Sequence, residues 1–258
     1  NISFEKTDTY YPMPGVTTFR GDNYRSGSTY GNVEISQEHL EIKWHNLVGS
    51  LNGWSGIGWT GQPLLVQWDD DLKQIMGLYD SKKEKDGLIE VIATTLDGYI
   101  YFYDLEDGSK TRDPLWIGMG FKGTASLDPR GYPILYVGSG DFVPSMDYSG
   151  KPPRMYAISL IDTSILWDSG GADNFAYRGW YAFDSSPMIS AETDTLIWGG
   201  ECGIFSPKLL DCFKQVSPQM ATLAREGSGL LESLTRYSQD QLLLEKLLSG
   251  LTNWAMRS

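Results

Sequence analysis

The sequence predicts a mainly β protein built from propeller-type blades, each a small antiparallel sheet of four strands. The first observation is an internal repeat. Phe121-Lys122-Gly123-Thr124-Ala125-Ser126 lies 62 residues after Trp59-Thr60-Gly61-Gln62-Pro63-Leu64 and 62 residues before Phe183-Asp184-Ser185-Ser186-Pro187-Met188. The second is a composition of 29 Gly, 9 Trp, 15 Tyr and 9 Phe in 258 residues, which favours short strands and turns. Similarity at a fixed period indicates a repeat architecture.

Each copy of this opening motif is followed by the same predicted strand order. A first strand leaves the motif, an apolar second strand comes next, and a glycine-bearing turn leads into an alternating third strand before a tryptophan-bearing fourth. The first three strands are expected at 62–66, 89–95 and 99–105 in copy one, at 124–127, 134–137 and 155–160 in copy two, and at 186–189 and 195–198 in copy three. Asp-Gly between alternating runs predicts a hairpin, and four such strands describe a propeller blade.

The fourth strand of each blade is expected to carry a tryptophan. Leu40-Glu41-Ile42-Lys43-Trp44 alternates apolar and polar residues, which predicts a strand with one buried face. Leu115-Trp116 and Leu166-Trp167 repeat its ending, so we expect the three tryptophans to occupy equivalent positions between neighbouring sheets. The count is a lone fourth strand, two full blades and half of a third. This predicts a partial or incomplete ring, because a closed propeller has about four to eight blades.

The chain divides near residue 206 into two kinds of sequence. Residues 1–206 are predicted to form the propeller region, and residues 207–258, which hold 12 leucines, a C-terminal α-helical segment. Leucines from Leu243 to Leu251, with Trp254, recur at spacings of three and four, as on one face of an amphipathic helix. Incomplete blade edges invite self-association, unless the helical tail or another chain covers them.

The segment before the first copy of the repeat shows no sustained periodicity. Residues 1–38 predict loops with one edge strand, and within them Arg20-Gly21-Asp22 is either an adhesion triplet or an ordinary turn. Two linkers interrupt the repeat pattern. Residues 69–87 predict a solvated linker with one helical turn, and residues 141–154, rich in Pro, Gly and Ser, predict a second excursion.

Charge and hydropathy exclude two classes of partner. A formal net charge of −12 repels polyanions, so we expect no nucleic-acid binding. No uncharged apolar run approaches the ~18 residues that indicate a membrane span. Cys202 and Cys212 either form one short disulfide or are two small buried thiols.

Catalytic and metal-binding patterns are weak in this sequence. Its two histidines, His39 and His45, flank the Trp44 strand and have no pattern of a nucleophile or zinc ligand beside them. We therefore predict no catalytic residue and no metal ligand.

Several motifs resemble the repeat of quinoprotein-type (PQQ-like) β-propellers. They are Tyr101-Phe102-Tyr103-Asp104-Leu105-Glu106-Asp107-Gly108 followed by Leu115-Trp116, and Met155-Tyr156-Ala157-Ile158-Ser159-Leu160 followed by Leu166-Trp167. The segment from Phe19 to Gly27 is similar to the segment before the first full blade of that family. The resemblance covers about residues 14 to 205 and is closest to secreted bacterial propeller proteins. It implies an extracellular or cell-surface location, and pyrroloquinoline quinone with calcium as the cofactor of the enzymes in the family. The adjacent cysteine pair of those enzymes does not occur here.

The opening motifs supply the candidate site. In a propeller the loops that lead into the innermost strands meet on one face around the central channel. Aromatic rings beside polar groups suit stacking on a sugar or another flat ligand, although repeat-specific core packing with polar groups bonded to the backbone produces the same pattern. The candidate ligand-binding residues are Trp59, Thr60, Gln62, Lys122, Thr124, Arg178, Trp180 and Asp184.

These observations favour a non-catalytic extracellular binding or scaffold module with a protein or glycan partner. Two alternatives stay open. One is a PQQ-dependent, dehydrogenase-like quinoprotein, which the resemblance implies. The other is a carbohydrate-binding or carbohydrate-processing protein, since 33 acidic residues offer many carboxylate pairs of which the sequence selects none.

Overall fold

The repeat unit folds into a small antiparallel sheet, and three such sheets follow one another along the chain. The computed structural model describes residues 10–27, 34, 36, 39–58, 61–140, 152–170, 182–201 and 203–209. The predicted mainly β, propeller-type fold is confirmed in these residues. The predicted helical tail lies outside them from residue 210 onward.

The elements follow in chain order as β1 Gly15–Val16, a 3-10 turn at Phe19–Gly21, β2 Ser50–Leu51, β3 Trp54–Ser55, β4 Leu64–Gln67, α1 Asp70–Ile75, α2 Asp80–Lys83, β5 Ile89–Thr94, β6 Tyr99–Asp104, β7 Leu115–Trp116, β8 Ser126–Leu127, β9 Ile134–Gly138, β10 Arg154–Ser159, β11 Ile165–Gly170, β12 Met188–Ser190, β13 Thr195–Gly200 and β14 Gly203–Phe205. Sheet 1 has the spatial order β1-β4-β5-β6-β7, sheet 2 the order β11-β10-β9-β8, and sheet 3 the order β12-β13-β14. A separate hairpin joins β2 and β3. Because β4, β8 and β12 each follow an opening motif, the three motifs occupy the same place in their sheets.

Apolar layers fill the two spaces between the sheets. Leu64 of sheet 1 and Leu127 of sheet 2 belong to the first layer, and Leu196 of sheet 3 belongs to the second. Successive residues of β9 point to opposite faces. Val137 therefore joins the first layer and Tyr136 the second, and both are fully buried. Sheet 2 is thus apolar on both faces, as expected of a blade with a neighbour on each side.

The turn between β5 and β6 confirms the predicted Asp-Gly hairpin. Gly98 has φ +84°, a conformation that glycine adopts without steric cost. The carboxylate of Asp97 accepts hydrogen bonds from the hydroxyl of Thr95 and from the backbone N–H of Tyr99. The side chain therefore holds the turn that the glycine permits.

Residues 10–26 cross the first repeat strand of all three sheets. β1 pairs with β4 at the edge of sheet 1, which confirms the predicted edge strand. The carbonyl of Thr17 then accepts the N–H of Leu127 in β8 at 2.8 Å, and the side-chain amide of Asn23 donates to the carbonyl of Ile189 in β12 at 2.6 Å. This crossing segment, residues 10–26, ties the three sheets together at their inner strands.

The predicted strand at residues 40–44 is wrong. Residues 39–49 belong to no strand, and the side chains of Leu40 and Ile42 are 100% and 84% exposed. Trp44 contacts the body of the protein, with its ring 6.1 Å from that of Tyr103 and its Nε1 donating to the carbonyl of Leu105 at 2.8 Å. A strand needs a partner, and the described residues provide none for this segment.

The predicted equivalence of the tryptophans is also wrong. Trp116 and Trp167 both lie on outermost strands of their sheets. However, Trp167 pairs with Ala157 inside β10, whereas Trp116 pairs with Tyr99 at the start of β6. The longer connection after β6 shifts the tryptophan along its strand, and sequence similarity does not reveal such a shift.

Sheet 3 has one strand more than the sequence predicted. β14 pairs with β13, and Lys208 continues the pairing through a bridge to Thr195. The strand was missed because three residues are too few for alternation to be recognised.

The linker at residues 69–87 is more structured than predicted. It forms the two helices α1 and α2 rather than one helical turn. The carboxylate of Asp69 caps α1 by accepting the N–H of Asp71 at 3.1 Å. Leu72 and Met76 are fully buried in the first apolar layer, so the linker is not wholly solvated. Among the described residues, no helix has both the length and the apolar character needed to cross a bilayer.

Candidate functional site

The three opening motifs lie side by side, joined by hydrogen bonds between equivalent positions. The N–H of Gln62 donates to the hydroxyl of Thr124 at 2.8 Å, and the N–H of Thr124 donates to the hydroxyl of Ser186 at 3.0 Å. Both bonds span 62 residues, the period of the repeat. Side-chain hydroxyls therefore set the position of each sheet against the next.

Thr124 is a member of this ladder and has no exposed surface. Ser126, two residues later, donates from its hydroxyl to the carbonyl of Pro187 at 2.8 Å. At both positions a polar side chain satisfies backbone groups of the neighbouring motif, which is the structural alternative that the sequence left open.

Lys122 and Asp184 occupy one position in consecutive motifs and form an ion pair. The ammonium group lies 3.4 Å from each carboxylate oxygen, and the two side chains are 18% and 40% exposed. Exposed ion pairs contribute about 0–1 kcal/mol. Both side chains of the pair keep part of their surface accessible to solvent.

Gln62 brings the crossing segment to the same end of the sheets. Its side-chain oxygen accepts the backbone N–H of Arg20 at 3.2 Å. Arg20 is exposed and has φ +55°, an uncommon conformation for a residue with a side chain. The sequence singled out Arg20 only within the Arg20-Gly21-Asp22 triplet, and only the fold brings it beside the first opening motif.

The structure thus brings together Gln62, Lys122, Thr124 and Asp184 and adds Arg20 to them. The other predicted ligand-binding residues lie outside the described residues. They are Trp59, Thr60, Arg178 and Trp180. The proposed pairing of Cys202 with Cys212 lies outside them as well.

The adhesion interpretation of Arg20-Gly21-Asp22 does not agree with the fold. The side chain of Asp22 has no exposed surface. Its carboxylate accepts hydrogen bonds from the backbone N–H of Ser26 at 3.0 Å and from the Ser26 hydroxyl at 2.6 Å. The triplet is part of a turn, the ordinary alternative.

Buried carboxylates and guanidinium groups hold the sheets. Glu90 is fully buried and accepts two hydrogen bonds from Arg112, at 3.0 and 2.7 Å. Asp128, also fully buried, likewise accepts two hydrogen bonds from Arg130. A third nitrogen of Arg130 donates to Asp194, in the turn between β12 and β13, at 2.7 Å. These charges are committed to the interior and are not available to a ligand.

The quinone and calcium implied by the family resemblance require a set of oxygen ligands for the metal. In the part of the chain that the structure describes, no group of three or more His, Cys, Asp or Glu side chains is placed to hold a metal ion. The buried carboxylates already accept hydrogen bonds from their neighbours. Pyrroloquinoline quinone with calcium stays a prediction from the resemblance alone.

Comparison with solved structures finds 19 similar chains, of which one is described here. The chain is similar to BamB from Moraxella catarrhalis, at 15% sequence identity and a TM-score of 0.32 over 61% of this chain. It spans 46%, about half, of the length of that protein. No family model matches the sequence, and no curated protein matches it. The fold assignment rests on the three sheets themselves.

Proposed function

We propose that this chain is a non-catalytic binding or scaffold module that acts outside the cell. Its ligand surface is the end of the sheets where the opening motifs meet, and its ligand is a protein or a glycan. The partly exposed pair of Lys122 and Asp184 carries this proposal. It offers a cation and an anion on neighbouring sheets, while the buried charges of the protein are held by one another.

The rigidity of the surroundings supports the same proposal. Gln62 and Thr124 belong to the ladder that joins the motifs, and Arg20 is held by its backbone to Gln62. A ligand therefore meets groups that are already positioned, which lowers the entropy lost on binding. Donor and acceptor groups at fixed positions suit the hydroxyl groups of a glycan or the backbone of a peptide.

Binding screens against a glycan array and a panel of extracellular proteins test the proposal. For any ligand found, Lys122→Gln and Asp184→Asn are each expected to weaken binding about tenfold, the loss of one charge-assisted hydrogen bond. Lys83→Gln and Glu84→Gln, in and after α2 and away from the motifs, are matched controls that should leave affinity unchanged.

Two results would overturn the proposal. One is a ligand whose affinity the controls reduce as much as the motif variants do. The other is turnover, either dye reduction with added quinone and calcium, or cleavage of a soluble sugar that is lost in Asp184→Asn.

A further inference from the structure

Sheet 3 presents an apolar outer face. Met188 and Ile197, a cross-strand pair, are half-buried, and Ile204 is 82% exposed. By their places in the strand ladders, Tyr136 and Met155 of sheet 2 are the counterparts of Ile197 and Ile204. Those counterparts are fully buried against sheet 3. Sheet 3 therefore has the surface of a blade that receives a further sheet.

Sheet 1 presents the complementary face on its other side. Leu65, Tyr99 and Tyr101 point away from sheet 2 and are half-buried, and Tyr101 stacks on Tyr103 at 5.8 Å with the rings 8° apart. Tyr156, the counterpart of Tyr101 in sheet 2, is 2% exposed because sheet 1 covers it. The series of sheets thus has two apolar ends, each matching one side of a contact that already exists inside the chain.

The hairpin turns after β6 and β10 show which residues correspond in sheets 1 and 2. In turn 104–109 the N–H of the first residue donates to the carbonyl of the last at 2.8 Å. In turn 159–164 the same bond measures 2.9 Å. Leu105 and Leu160, the second residue of each turn, are therefore equivalent.

Trp44 and Arg112 make equivalent hydrogen bonds, Trp44 to sheet 1 and Arg112 to sheet 2. Nε1 of Trp44 donates to the carbonyl of Leu105 at 2.8 Å, and Nη1 of Arg112 donates to the equivalent carbonyl of Leu160. Arg112 follows the bridge that forms the outer edge of sheet 1. Trp44 thus occupies the place of an outer-edge residue from a sheet that precedes sheet 1.

Two incomplete features now match each other. Residues 40–44 have the position and alternation of an outermost strand but pair with no strand in the described part of the chain. Sheet 3 has three strands, and no described strand pairs with the outer edge of β14. Residues 40–44 lack a partner strand among the described residues, and the outer edge of β14 offers the place for a fourth strand.

We infer that sheet 3 of a second copy of this chain docks on the outer face of sheet 1, with residues 40–44 completing that sheet as its fourth strand. The same contact repeated in the other direction closes a ring of six sheets, three from each copy. Six lies within the range of about four to eight blades at which propellers close. Among the described residues, the ring pairs the outer edge of β14 and covers both apolar ends of the series of sheets.

The glycines of β9 and β13 agree with this arrangement. A side chain at Gly138 of sheet 2 would collide with the backbone of Phe183, where sheet 3 packs closely. At Gly199, its counterpart in sheet 3, the nearest atom is 3.7 Å away, in Ser185. The space that an approaching sheet needs is present at Gly199.

The mass of the full 258-residue chain, measured by native mass spectrometry and by light scattering, tests the inference. We expect a dimer of the 28.8 kDa chain. We also expect its association to strengthen with added salt, because each copy carries a net charge of −12 and salt screens the repulsion. Ile204→Lys and Ile42→Lys should each weaken the dimer more than about tenfold, since the ring would bury an unpaired charge.

Ile165→Lys is the matched control, because Ile165 is 40% exposed on the outer strand of sheet 2, away from both ends. It should leave the dimer intact. All three substituted side chains are exposed, and circular dichroism would verify that each variant folds. A monomeric wild-type chain, or a dimer that only Ile165→Lys disrupts, would overturn the inference.

Hydrogen exchange distinguishes two sources of protection for residues 40–46, which are a second copy of the chain and other residues of the same chain. The amides of residues 40–46 should be protected in the dimer and exchange rapidly in the Ile204→Lys monomer. Equal protection in that monomer would show that residues of the same chain cover the segment, and would sink the inference.

Discussion

At the scale of single residues, charge joins neighbouring sheets. Arg130 lies beside Asp128 in the turn between β8 and β9 and reaches Asp194 in the turn between β12 and β13. Its guanidinium lies 5.5 Å from the centre of the Tyr132 ring. Burial acts to lower the pKa of Arg130. The charge and hydrogen bonds of Asp128, with a smaller effect of Asp194, outweigh burial and raise that pKa well above its ordinary value. The guanidinium stays charged in the interior.

Removing this guanidinium should be costly. Arg130→Ala leaves the carboxylate of Asp128 buried without its partner, which is expected to lower the free energy of unfolding by about 3–5 kcal/mol. Urea unfolding followed by circular dichroism measures it. Glu106→Gln is the control, because Glu106 pairs with Lys85 at 2.6 Å but is 67% exposed, and such surface pairs contribute about 0–1 kcal/mol. Equal losses in the two variants would contradict the role assigned to Arg130.

Asp97 should make stability depend on pH. Burial acts to raise its pKa, but hydrogen bonds from Thr95, Tyr101 and the N–H groups of Tyr99 and Gly49 outweigh burial and lower it. A lowered folded pKa stabilises the fold above the unfolded value of about 4, and this contribution is lost as pH falls through the folded pKa.

Asp97→Asn should therefore lower the free energy of unfolding by about 1–3 kcal/mol at pH 7. The difference from wild type should shrink as the medium becomes acidic. Unfolding curves at a series of pH values measure it. Asp86→Asn, at an exposed position, should match wild type throughout, and a difference for Asp97→Asn that does not change with pH would argue against this account.

At the scale of elements, strands were predictable where alternation and turn residues agreed. β5 and β6 begin at the predicted residues and end one residue early, because apolar alternation and the Asp97-Gly98 turn define both ends. Residues 40–44 alternate equally well and yet form no strand, because alternation prepares a strand but only a paired neighbour satisfies its backbone groups. β14 shows the converse, a three-residue strand created by its neighbour β13.

Close approach of sheets 2 and 3 gives an element-scale prediction. In Gly138→Ala the new methyl group would collide with the carbonyl of Phe183, so β9 or the third opening motif must shift. Overpacking of this kind costs about 1–3 kcal/mol. Gly199→Ala, at the counterpart position with space around it, should change stability by less than about 0.5 kcal/mol. Urea unfolding at protein concentrations low enough for a monomer compares the two, and similar losses would contradict the proposed packing.

At the scale of the whole molecule, two devices hold the sheets in register. One is the hydroxyl ladder from Gln62 through Thr124 to Ser186. The other is the crossing segment of residues 10–26, whose Arg25 reaches the carbonyl of Ser186 at 3.0 Å. The proposed ring would add association to these devices. The unfolding temperature should then rise with protein concentration, because a partner that binds only the folded chain stabilises it by mass action.

The sequence by itself determined the repeat, its period of 62 residues, the mainly β fold and the convergence of the opening motifs. These features are local or periodic, and periodicity survives in a linear chain. It also marked Lys122 and Asp184, which differ in charge at one position of the repeat.

Only the tertiary structure decided which of the polar residues have side chains that a ligand can contact. The hydroxyl of Thr124 accepts a hydrogen bond within the ladder, and the side chain of Asp22 is buried. Arg20, which is distant in sequence, lies beside Gln62. Burial and hydrogen-bond partners depend on contacts between residues far apart in sequence, and neither composition nor spacing contains that information. The same reason separates Trp44, which keeps its place against sheet 1, from the rest of its predicted strand, which has no partner among the described residues.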